Sequence, residues 1–359
     1  MARSTSTAGG SVRSRQTGDV AAAPRGHAAS PRAEAEIRLD RNELPWAPRL
    51  RGPRGPRPFS ALNRYPEAEN EALIRQIERA HGLGAGSVAV THGVDEALDR
   101  VIELFRDRSF VTFRPTFSGF YERLEANQAR ARCYRLGPAF RIPPRTLGHL
   151  RTSDVVLLAS PNNPTGHVFL DSEIEALAAT TGAVLLDETY IDFASTPGWL
   201  ARRTERMFIF RSFSKAFGLA GLRAGFLVGP PDHIRDIRRR QWFCHMSAPT
   251  TSLVNAALRS TWRVRQVAHV VRERCRVTQA LRHLGVEVIA TETNFIVVKD
   301  ASGTIRNRLA RHRIRVKELG PLGMPVHVRI TIDTTAHNDL VLRAVGRVHP
   351  ISRTWPGSA

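Results

Sequence analysis

A lysine set among serine, glycine and aromatic residues is the first candidate for chemistry in this chain. The stretch covers residues 211–225 and reads RSFSKAFGLAGLRAG, with the lysine at Lys215. Only three of the 53 basic side chains are lysines, so arginine would be expected here if charge alone mattered. A primary amine can form a Schiff base with a carbonyl compound, whereas a guanidinium cannot. We therefore predict a reactive amine beside an oxyanion cradle of Ser212, Ser214 and Arg223. Taken alone, the stretch would also fit a polar loop with a solvated lysine.

Two further polar segments each follow a predicted buried strand. The apolar run at 154–159 is typical of a buried parallel strand and leads into SPNNPTG at 160–166. A similar run at 183–186 leads into DETY at 187–190. In open α/β sheets ligands bind at the carboxyl ends of the strands, so both segments are predicted to border a site. Each segment alone would also fit an ordinary turn or a helix cap.

The surrounding pattern alternates between helices and strands, which predicts an α/β sheet with crossover helices. Helical spacing covers 69–81, 95–105, 117–126 and 171–180. Strand patterns cover 87–91, 110–113, 154–159, 183–186, 207–210 and 224–228. After about residue 230 the pattern changes to a long helical stretch at 251–284, strand patterns at 286–290, 295–298 and 327–332, and a closing helix at about 336–348. These elements predict a smaller α+β lobe.

These patterns divide the chain into five predicted parts. Residues 1–34 are rich in Arg, Ala and Ser and poor in large apolar groups, which predicts a disordered tail. An arm at 35–58 joins the small domain, and 59–235 form the large ligand-binding domain. A small C-terminal domain at 236–350 and a short tail at 351–359 complete the chain.

Several motifs occur in a fixed order along the chain. They are Asn42-Glu43, Asn63-Arg64-Tyr65-Pro66, Gly93-Val94-Asp95-Glu96, Pro115-Thr116-Phe117, the segments at 160–166, 187–190 and 211–225, and Arg329-Ile330-Thr331-Ile332. Together they resemble the fold-type I pyridoxal-phosphate (PLP) aminotransferases of class I/II, most closely the histidinol-phosphate aminotransferase family, over roughly 37–348. The resemblance implies a large domain with a mainly parallel sheet sandwiched by helices, a smaller α+β domain, and PLP as cofactor. It also implies an enzyme that moves an amino group between a small-molecule amino donor and a 2-oxo acid.

The resemblance also implies roles around the cofactor. Lys215 would hold PLP covalently and move the proton in transamination. Asp187 would pair with the pyridine nitrogen, and Asn163 and Tyr190 would bind the ring 3′-oxygen. Phe117 would stack on the ring, where the family usually has tyrosine. The phosphate would be bound by Gly93, Val94, Asp95, Ser212, Ser214 and Arg223.

On the substrate side the resemblance is less complete. Arg329 would bind the substrate anion, with Asn42 beside it and Trp46 as an aromatic wall. Asp333 stands where the family usually has glycine, and we expect its carboxylate to weaken the field of Arg329 or narrow the pocket. Tyr65 would reach the cofactor phosphate of a neighbouring subunit, which implies a homodimer.

The predicted reaction is histidinol phosphate plus 2-oxoglutarate giving imidazole acetol phosphate plus glutamate. One alternative is an aminotransferase of the same family acting on another amino acid in specialised metabolism. Another is a decarboxylase of a phosphorylated amino acid, as found among close relatives. Asp333 is the residue that keeps these alternatives open.

The formal charge of +20 raises the possibility of a nucleic-acid partner. The arginines are spread along the chain without a recognition motif, so we predict no nucleic-acid partner. A PLP-fold DNA regulator would need an added winged-helix domain, for which the 34-residue tail is too short. A basic scaffold protein would have no use for the lysine, aspartate and tyrosine set.

Composition and spacing predict the remaining properties. No apolar run reaches the roughly 18 residues that a membrane span needs, so we predict no membrane association. Three widely spaced cysteines, Cys133, Cys244 and Cys275, favour a reducing cytoplasm over a disulfide framework. The 13 histidines show no ligand spacing, and His81 and His92 are assigned loop or surface roles, so we predict no metal site.

Overall fold

The computed structural model describes residues 36–48 and 62–346. The predicted tails at 1–34 and 351–359 lie outside the described residues, as does most of the connection between the arm and the large domain. The domain boundary near residue 235 stays a prediction.

Two β-sheets and the helices around them form the described part of the chain. The strands are β1 (Ile37–Leu39), β2 (Val88–Thr91), β3 (Ser109–Arg114), β4 (Ala131–Arg135), β5 (Asp154–Ala159), β6 (Ala183–Asp187), β7 (Met207–Ser212), β8 (Gly225–Val228), β9 (Val288–Ile289), β10 (Phe295–Lys299), β11 (Ile314–Glu318) and β12 (His327–Thr331). The α-helices are α1 (Glu67–His81), α2 (Gly93–Leu104), α3 (Ser118–Ala126), α4 (Pro144–Leu147), α5 (Asp171–Thr180), α6 (Pro231–Arg239), α7 (Ala248–Leu258), α8 (Trp262–His283), α9 (Thr304–Arg311) and α10 (Thr335–Val345).

The larger sheet has the strand order β2-β8-β7-β6-β5-β3-β4. Strands β4, β3, β5, β6 and β7 pair in parallel, and β8 runs antiparallel to both of its neighbours. This sheet confirms the predicted α/β class with a mainly parallel sheet. The run at 154–159 is apolar almost throughout because both faces of the sheet are covered by helices.

Successive residues of the central strands enter two different hydrophobic clusters. In β5, Val156 and Leu158 join the cluster that contains residues of α1, α5 and α7. Val155 and Leu157 join the other cluster, with residues of α2, α3 and α6. Burying each such side chain contributes roughly 1.5–3 kcal/mol, so the strand is held from both sides and its carboxyl end is fixed in space.

The smaller sheet has the order β1-β11-β12-β10-β9, with β1 parallel to β11 and the other pairs antiparallel. Sequence patterns predicted β9, β10 and β12 but not β1 or β11. Strand β1 has three residues, and β11 reads IRVKE with a mostly exposed pattern, so neither carries a clear apolar signal. Their pairing matters for function because it brings the residues after β1 beside β12.

Among the helices of the described residues, none combines the length and the apolar character required to cross a membrane.

Candidate active site

Three of the predicted segments meet because the strands before them are parallel neighbours. Asp187 at the end of β6 pairs with Ala159 of β5 on one side and with Phe210 of β7 on the other. The Ser160 N–H donates to the Asp187 carbonyl oxygen over 2.9 Å, which joins the start of the 160–166 segment to the end of β6. The polar segments after β5, β6 and β7 therefore lie at one edge of the sheet.

Strand β8 brings the start of α2 to the same edge. Thr91 of β2 and Ser212 of β7 both pair with Gly225 of β8, from opposite sides. Helix α2 begins two residues after Thr91, at Gly93, which has φ +77°. A Cβ atom at that glycine would lie 3.3 Å from the Arg223 guanidinium, so glycine leaves room for the close approach.

The first turn of α2 is suited to bind an oxyanion. The N–H groups at the start of a helix have no intrahelical partner and point at the space in front of it. Arg223 stands beside that turn and makes a 3.1 Å ion pair with Asp95. Ser212 accepts a hydrogen bond from the Ser214 N–H over 3.1 Å, which fixes the two serines in front of the helix.

A cavity of about 930 Å³ opens at this edge of the sheet. The predicted site residues that line it are Asn42, Gly93, Val94, Asp95, Phe117, Asn163, Asp187, Tyr190, Ser212, Ser214, Lys215, Arg223 and Arg329. A smaller cavity of about 490 Å³, beside Trp199, is lined by none of them.

Two predicted site residues lie away from the cavity. Trp46 is partly exposed and packs edge-to-face on His269, with ring centroids 5.0 Å apart. Tyr65 is 79% exposed and packs on Phe243, with centroids 5.4 Å apart. Within this one chain, neither ring contributes to the cavity wall.

The amine of Lys215 faces the cavity and makes no ion pair with a carboxylate of residues 36–48 or 62–346. Its Nζ donates to the carbonyl oxygens of Arg41 at 3.1 Å and Asn42 at 3.2 Å, both in the segment after β1. It also lies 5.9 Å from the centre of the Tyr190 ring. Carbonyl acceptors orient the amine but leave it available for bonding to a ligand.

The Asp187 carboxyl group is buried at the floor of the cavity, with the residue only 6% exposed. Burial raises the pKa of Asp187 to about 6. The hydrogen bond from the Thr189 N–H, at 2.9 Å, acts in the opposite direction and lowers this pKa. In the described part of the chain no basic side chain lies within ion-pair distance of it. A protonated ring nitrogen in the cavity would supply the missing positive partner.

The Tyr190 hydroxyl is held by Asn42. The Asn42 side-chain amide donates to the Tyr190 hydroxyl oxygen over 2.9 Å, and its own oxygen accepts from the Thr331 hydroxyl at 3.0 Å. Asn42 is only 1% exposed, so this arrangement is rigid. Because its oxygen already accepts a hydrogen bond, the Tyr190 hydroxyl can donate its own hydrogen to a ligand.

Arg329 of β12 offers a buried positive charge. It donates to the Asn163 side-chain oxygen at 2.6 Å and to the Asp40 carbonyl oxygen at 2.7 Å. Its Nε is buried without a hydrogen-bond partner, and no carboxylate of the described residues lies within ion-pair distance of it. An unpaired buried guanidinium is costly, so the structure favours binding of an anion here.

Sequence reasoning missed a second cation, Lys317. Lys317 of β11 pairs directly with Arg329 of β12, and both side chains line the cavity. Directly opposed residues in an antiparallel pair project from the same face of the sheet. The scarcity of lysine was a signal for this residue, but only the strand register shows which partner it faces.

The expectation for Asp333 requires a correction. Asp333 is 8% exposed and does not line the cavity. Its carboxylate accepts from the Thr334 N–H at the start of α10 and contacts the His337 ring at 3.0 Å. A short acidic side chain beside a helix N-terminus is stabilised by the free N–H groups there, so it turns away from Arg329. It neither narrows the pocket nor pairs with that arginine.

The donor set of the cavity fits PLP. An unpaired amine, a buried carboxyl group with no cation and an oxyanion cradle lie around one space, as the aldehyde, ring nitrogen and phosphate of PLP require. The groups come from three separate parts of the chain, at 93–95, 187 and 212–223, which the strand order of the larger sheet brings together.

Comparison with known proteins identifies the family to which the chain belongs. Residues 53–347 match the model of the family Aminotransferase class I and II, and the chain belongs to this family. It is a PLP-dependent aminotransferase of fold-type I.

The most informative relatives are histidinol-phosphate aminotransferases. That of Rubrobacter xylanophilus is 31% identical over 332 residues, covering 86% of this chain and 91% of the relative. That of Thermotoga maritima is 34% identical over 290 residues, covering 79% and 84%.

Solved structures show the same fold. A candidate aminotransferase from Burkholderia pseudomallei has a TM-score of 0.79 and 33% identity, covering 87% of this chain and 98% of that one. The histidinol-phosphate aminotransferase of Sinorhizobium meliloti, solved in complex with pyridoxal-5′-phosphate, has a TM-score of 0.71 and 24% identity, covering 86% and 89%.

Proposed function

We propose that this enzyme transfers the amino group of histidinol phosphate to 2-oxoglutarate, giving imidazole acetol phosphate and glutamate. The observation that carries the proposal is the pair of cations, Arg329 and Lys317, in the cavity that also contains Lys215. The curated relatives described above, at about 30% identity over most of the chain, support the same substrate.

The cation pair suits an enzyme whose two substrates bind one after the other and each bring an anionic group to the same site. Like charges directly opposite each other in a sheet repel, and a bound anion between them removes that cost. Glutamate brings carboxylates to the site, whereas histidinol phosphate brings a phosphate and no carboxylate. Arg329 can bind either group in a bidentate manner, and Lys317 adds a point charge that favours the more highly charged phosphate.

On the cofactor side, each residue has a role in handling charge or a proton. Bound PLP supplies a conjugated ring that accepts the electron pair released when the substrate Cα–H bond breaks. Lys215 would hold the cofactor and then move a proton at the substrate Cα. Asp187 would keep the ring nitrogen protonated. Asn163 and Tyr190 donate to the ring 3′-oxygen, the latter in the orientation that Asn42 fixes.

The remaining residues hold the phosphate and the ring face. The first turn of α2, at Gly93, Val94 and Asp95, supplies N–H donors. Ser212, Ser214 and Arg223 complete the phosphate site, and Phe117 covers the ring.

The proposed reaction is tested by following the absorbance of bound PLP. The purified enzyme is mixed with histidinol phosphate, then with 2-oxoglutarate. We expect the first addition to convert the cofactor to its amine form and the second to restore it. If only other amino acids convert the cofactor, the substrate assignment is wrong and the class stands. Release of carbon dioxide from a phosphorylated amino acid would point to the decarboxylase alternative.

Replacing Lys317 with methionine should affect phosphate-bearing substrates most. A charge-assisted hydrogen bond contributes about 1.5–3 kcal/mol, so KM for histidinol phosphate should rise about 10- to 100-fold. The half-reaction with glutamate should change less, because Arg329 still binds a carboxylate. Lys299→Met is the matched control, since that lysine is exposed and pairs with Glu287 at 2.8 Å. Equal effects of Lys317→Met on both half-reactions would contradict a phosphate-binding role.

We further propose a homodimer in which Tyr65 binds the cofactor phosphate of the partner subunit. Three large aromatic side chains are exposed in the single chain, which supports a surface that a partner subunit covers. They are Tyr65 at 79%, Phe243 at 68% and Trp242 at 82% exposure. Tyr65 also packs against Phe243, so part of this set forms one patch. Exposed aromatic groups of this size are typical of interaction sites.

A mixed dimer tests this arrangement. Tyr65→Ala should weaken PLP binding about 10- to 100-fold, because it removes one hydrogen bond to the charged phosphate. Combining Tyr65→Ala chains with Lys215→Ala chains should restore one intact site per mixed dimer, because the residues then come from different chains. If the mixture is no more active than the two single variants, Tyr65 acts within its own chain or not at all.

We also propose that the enzyme works in the cytoplasm. The three cysteines are all free, two of them exposed, which is the state that a reducing compartment maintains.

A further inference from the structure

Two histidines and a glutamate come together outside the active-site cavity. His92 directly precedes α2, Glu96 lies in the first turns of that helix, and His245 lies between α6 and α7. One ligating atom from each residue lies within 4.8 Å of the other two. The His245 Nε2 is 2.7 Å from a Glu96 carboxylate oxygen, and the two imidazole rings are 4.7 Å apart at their centres.

This donor set matches that of a zinc-class ion. Zinc binds imidazole nitrogen and carboxylate oxygen at roughly 2.0–2.2 Å, commonly with three protein ligands and one open position. Two ligands of a tetrahedral ion are then about 3.4 Å apart. The most distant pair must therefore close by at most about 1.4 Å, and the His245–Glu96 pair, now 2.7 Å apart, must open by about 0.7 Å. The His92 ring is exposed, which gives an ion access from solvent, and a turn of the ring toward the ion would release its 3.1 Å contact with the His245 carbonyl oxygen.

The other two ligands are held in place. The His245 side chain is only 9% exposed, and its Nδ1 has no hydrogen-bond partner among the residues that the structure describes. The next residue, Met246, exchanges hydrogen bonds of 3.0 and 2.9 Å with the Asn70 side chain, which anchors the segment. The Glu96 carboxylate accepts from the His92 N–H over 2.7 Å and retains further lone pairs for an ion.

We propose that His92, Glu96 and His245 bind a divalent zinc-class metal ion. The ion would link the first turn of α2, whose residues 93–95 line the active-site cavity, to the segment before α7. The site is separate from the cavity, because none of its three side chains lines it. This proposal differs from the prediction of no metal site that histidine spacing gave, because His245 and Glu96 are 149 positions apart in the sequence and no local spacing connects them.

Zinc titration of the tag-free, chelator-treated holoenzyme tests the site. We expect one equivalent of zinc to bind, measured by competition with a chromogenic zinc indicator, and the Tm to rise with zinc concentration. Loss of one ligand in His92→Gln or His245→Gln should weaken binding at least about tenfold and remove the Tm rise. His92→Gln is the cleaner of the two, since the His92 side chain is exposed whereas that of His245 is buried.

His312→Gln is the matched control, because this exposed histidine follows α9, away from the cluster. The control should bind zinc as the wild-type enzyme does. The proposal is overturned if the wild-type enzyme takes up no zinc at micromolar concentration. It is also overturned if His92→Gln and the control bind with equal affinity. Neither result depends on which amino donor the enzyme uses.

Discussion

Replacing Lys215 with alanine should abolish transamination, with a loss in kcat of at least about 10⁴-fold. The variant loses both the covalent attachment of PLP and the group that moves the proton at the substrate Cα, and proton transfer by a positioned side chain alone contributes up to about 10⁴. The fold should be unaffected. Lys215 donates only to two backbone carbonyl oxygens that border the cavity, where water can replace it. The measurements are single-turnover rates and the visible absorbance of the bound cofactor.

A rescue experiment separates this role from a structural one. Truncation of the side chain leaves space in the cavity for a small primary amine such as methylamine, which should restore part of the proton transfer. Lys299→Ala is the control, and it should keep full activity, because this lysine lies on the surface in a pair with Glu287. More than about one percent residual activity in Lys215→Ala without added amine would contradict the assignment of the amine to the proton transfer.

Replacing Asp187 with asparagine should lower the rate and stabilise the cofactor-free protein at the same time. Loss of a preorganised charge that stabilises the transition state costs about 10²- to 10³-fold in kcat. Stability should change in the opposite direction. Burial raises the pKa of Asp187 from 3.8 to about 6, so the ionised carboxylate is disfavoured in the folded apoprotein. Asparagine removes that ionisation while it keeps the shape of the side chain.

The contribution of Asp187 to the stability of the apoprotein depends on pH. A carboxyl group with a raised pKa in the folded state contributes stability below about pH 4, and that contribution is lost as the pH rises through about 6. The wild-type apoprotein should therefore lose on the order of 3 kcal/mol relative to Asp187→Asn between pH 4 and pH 8. Denaturant unfolding of both apoproteins at the two pH values measures this difference. PLP should then stabilise the wild-type enzyme more than the variant.

The adjacent acid provides a contrasting control. Glu188 is as deeply buried as Asp187, but it pairs with Arg211 at 2.9 Å and accepts from the Trp199 N–H. Glu188→Gln should destabilise the apoprotein at pH 8, because it leaves the Arg211 charge buried without a partner. Destabilisation of the apoprotein by Asp187→Asn as well would show that its carboxylate is already compensated, against the proposed pairing with the cofactor nitrogen.

The cofactor side of the site could be predicted from the sequence because its signals are local. An apolar run marks each buried strand, and parallel strands must end at one edge of their sheet. The segments that contain Asn163, Asp187 and Lys215 each follow such a run, so their proximity requires only that the strands are neighbours. The structure places these three residues on one cavity.

The substrate side depends on contacts that no local pattern encodes. Lys317 faces Arg329 because of the register between β11 and β12, and a slip of one residue would turn one side chain to the other face. The Asp333 carboxylate turns toward the start of α10, whereas its position in the sequence suggested that it faces Arg329.

The sequence by itself thus determined the class of enzyme, the cofactor and most of the residues that line the cavity proposed to hold it. Only the tertiary structure decided that Lys317 faces Arg329, how Asn42 orients Tyr190, and that His245 meets Glu96. The physical reason is the range of each interaction. Strand and helix signals arise from the periodicity of neighbouring residues, whereas strand register and side-chain contacts between distant segments depend on how the whole core packs.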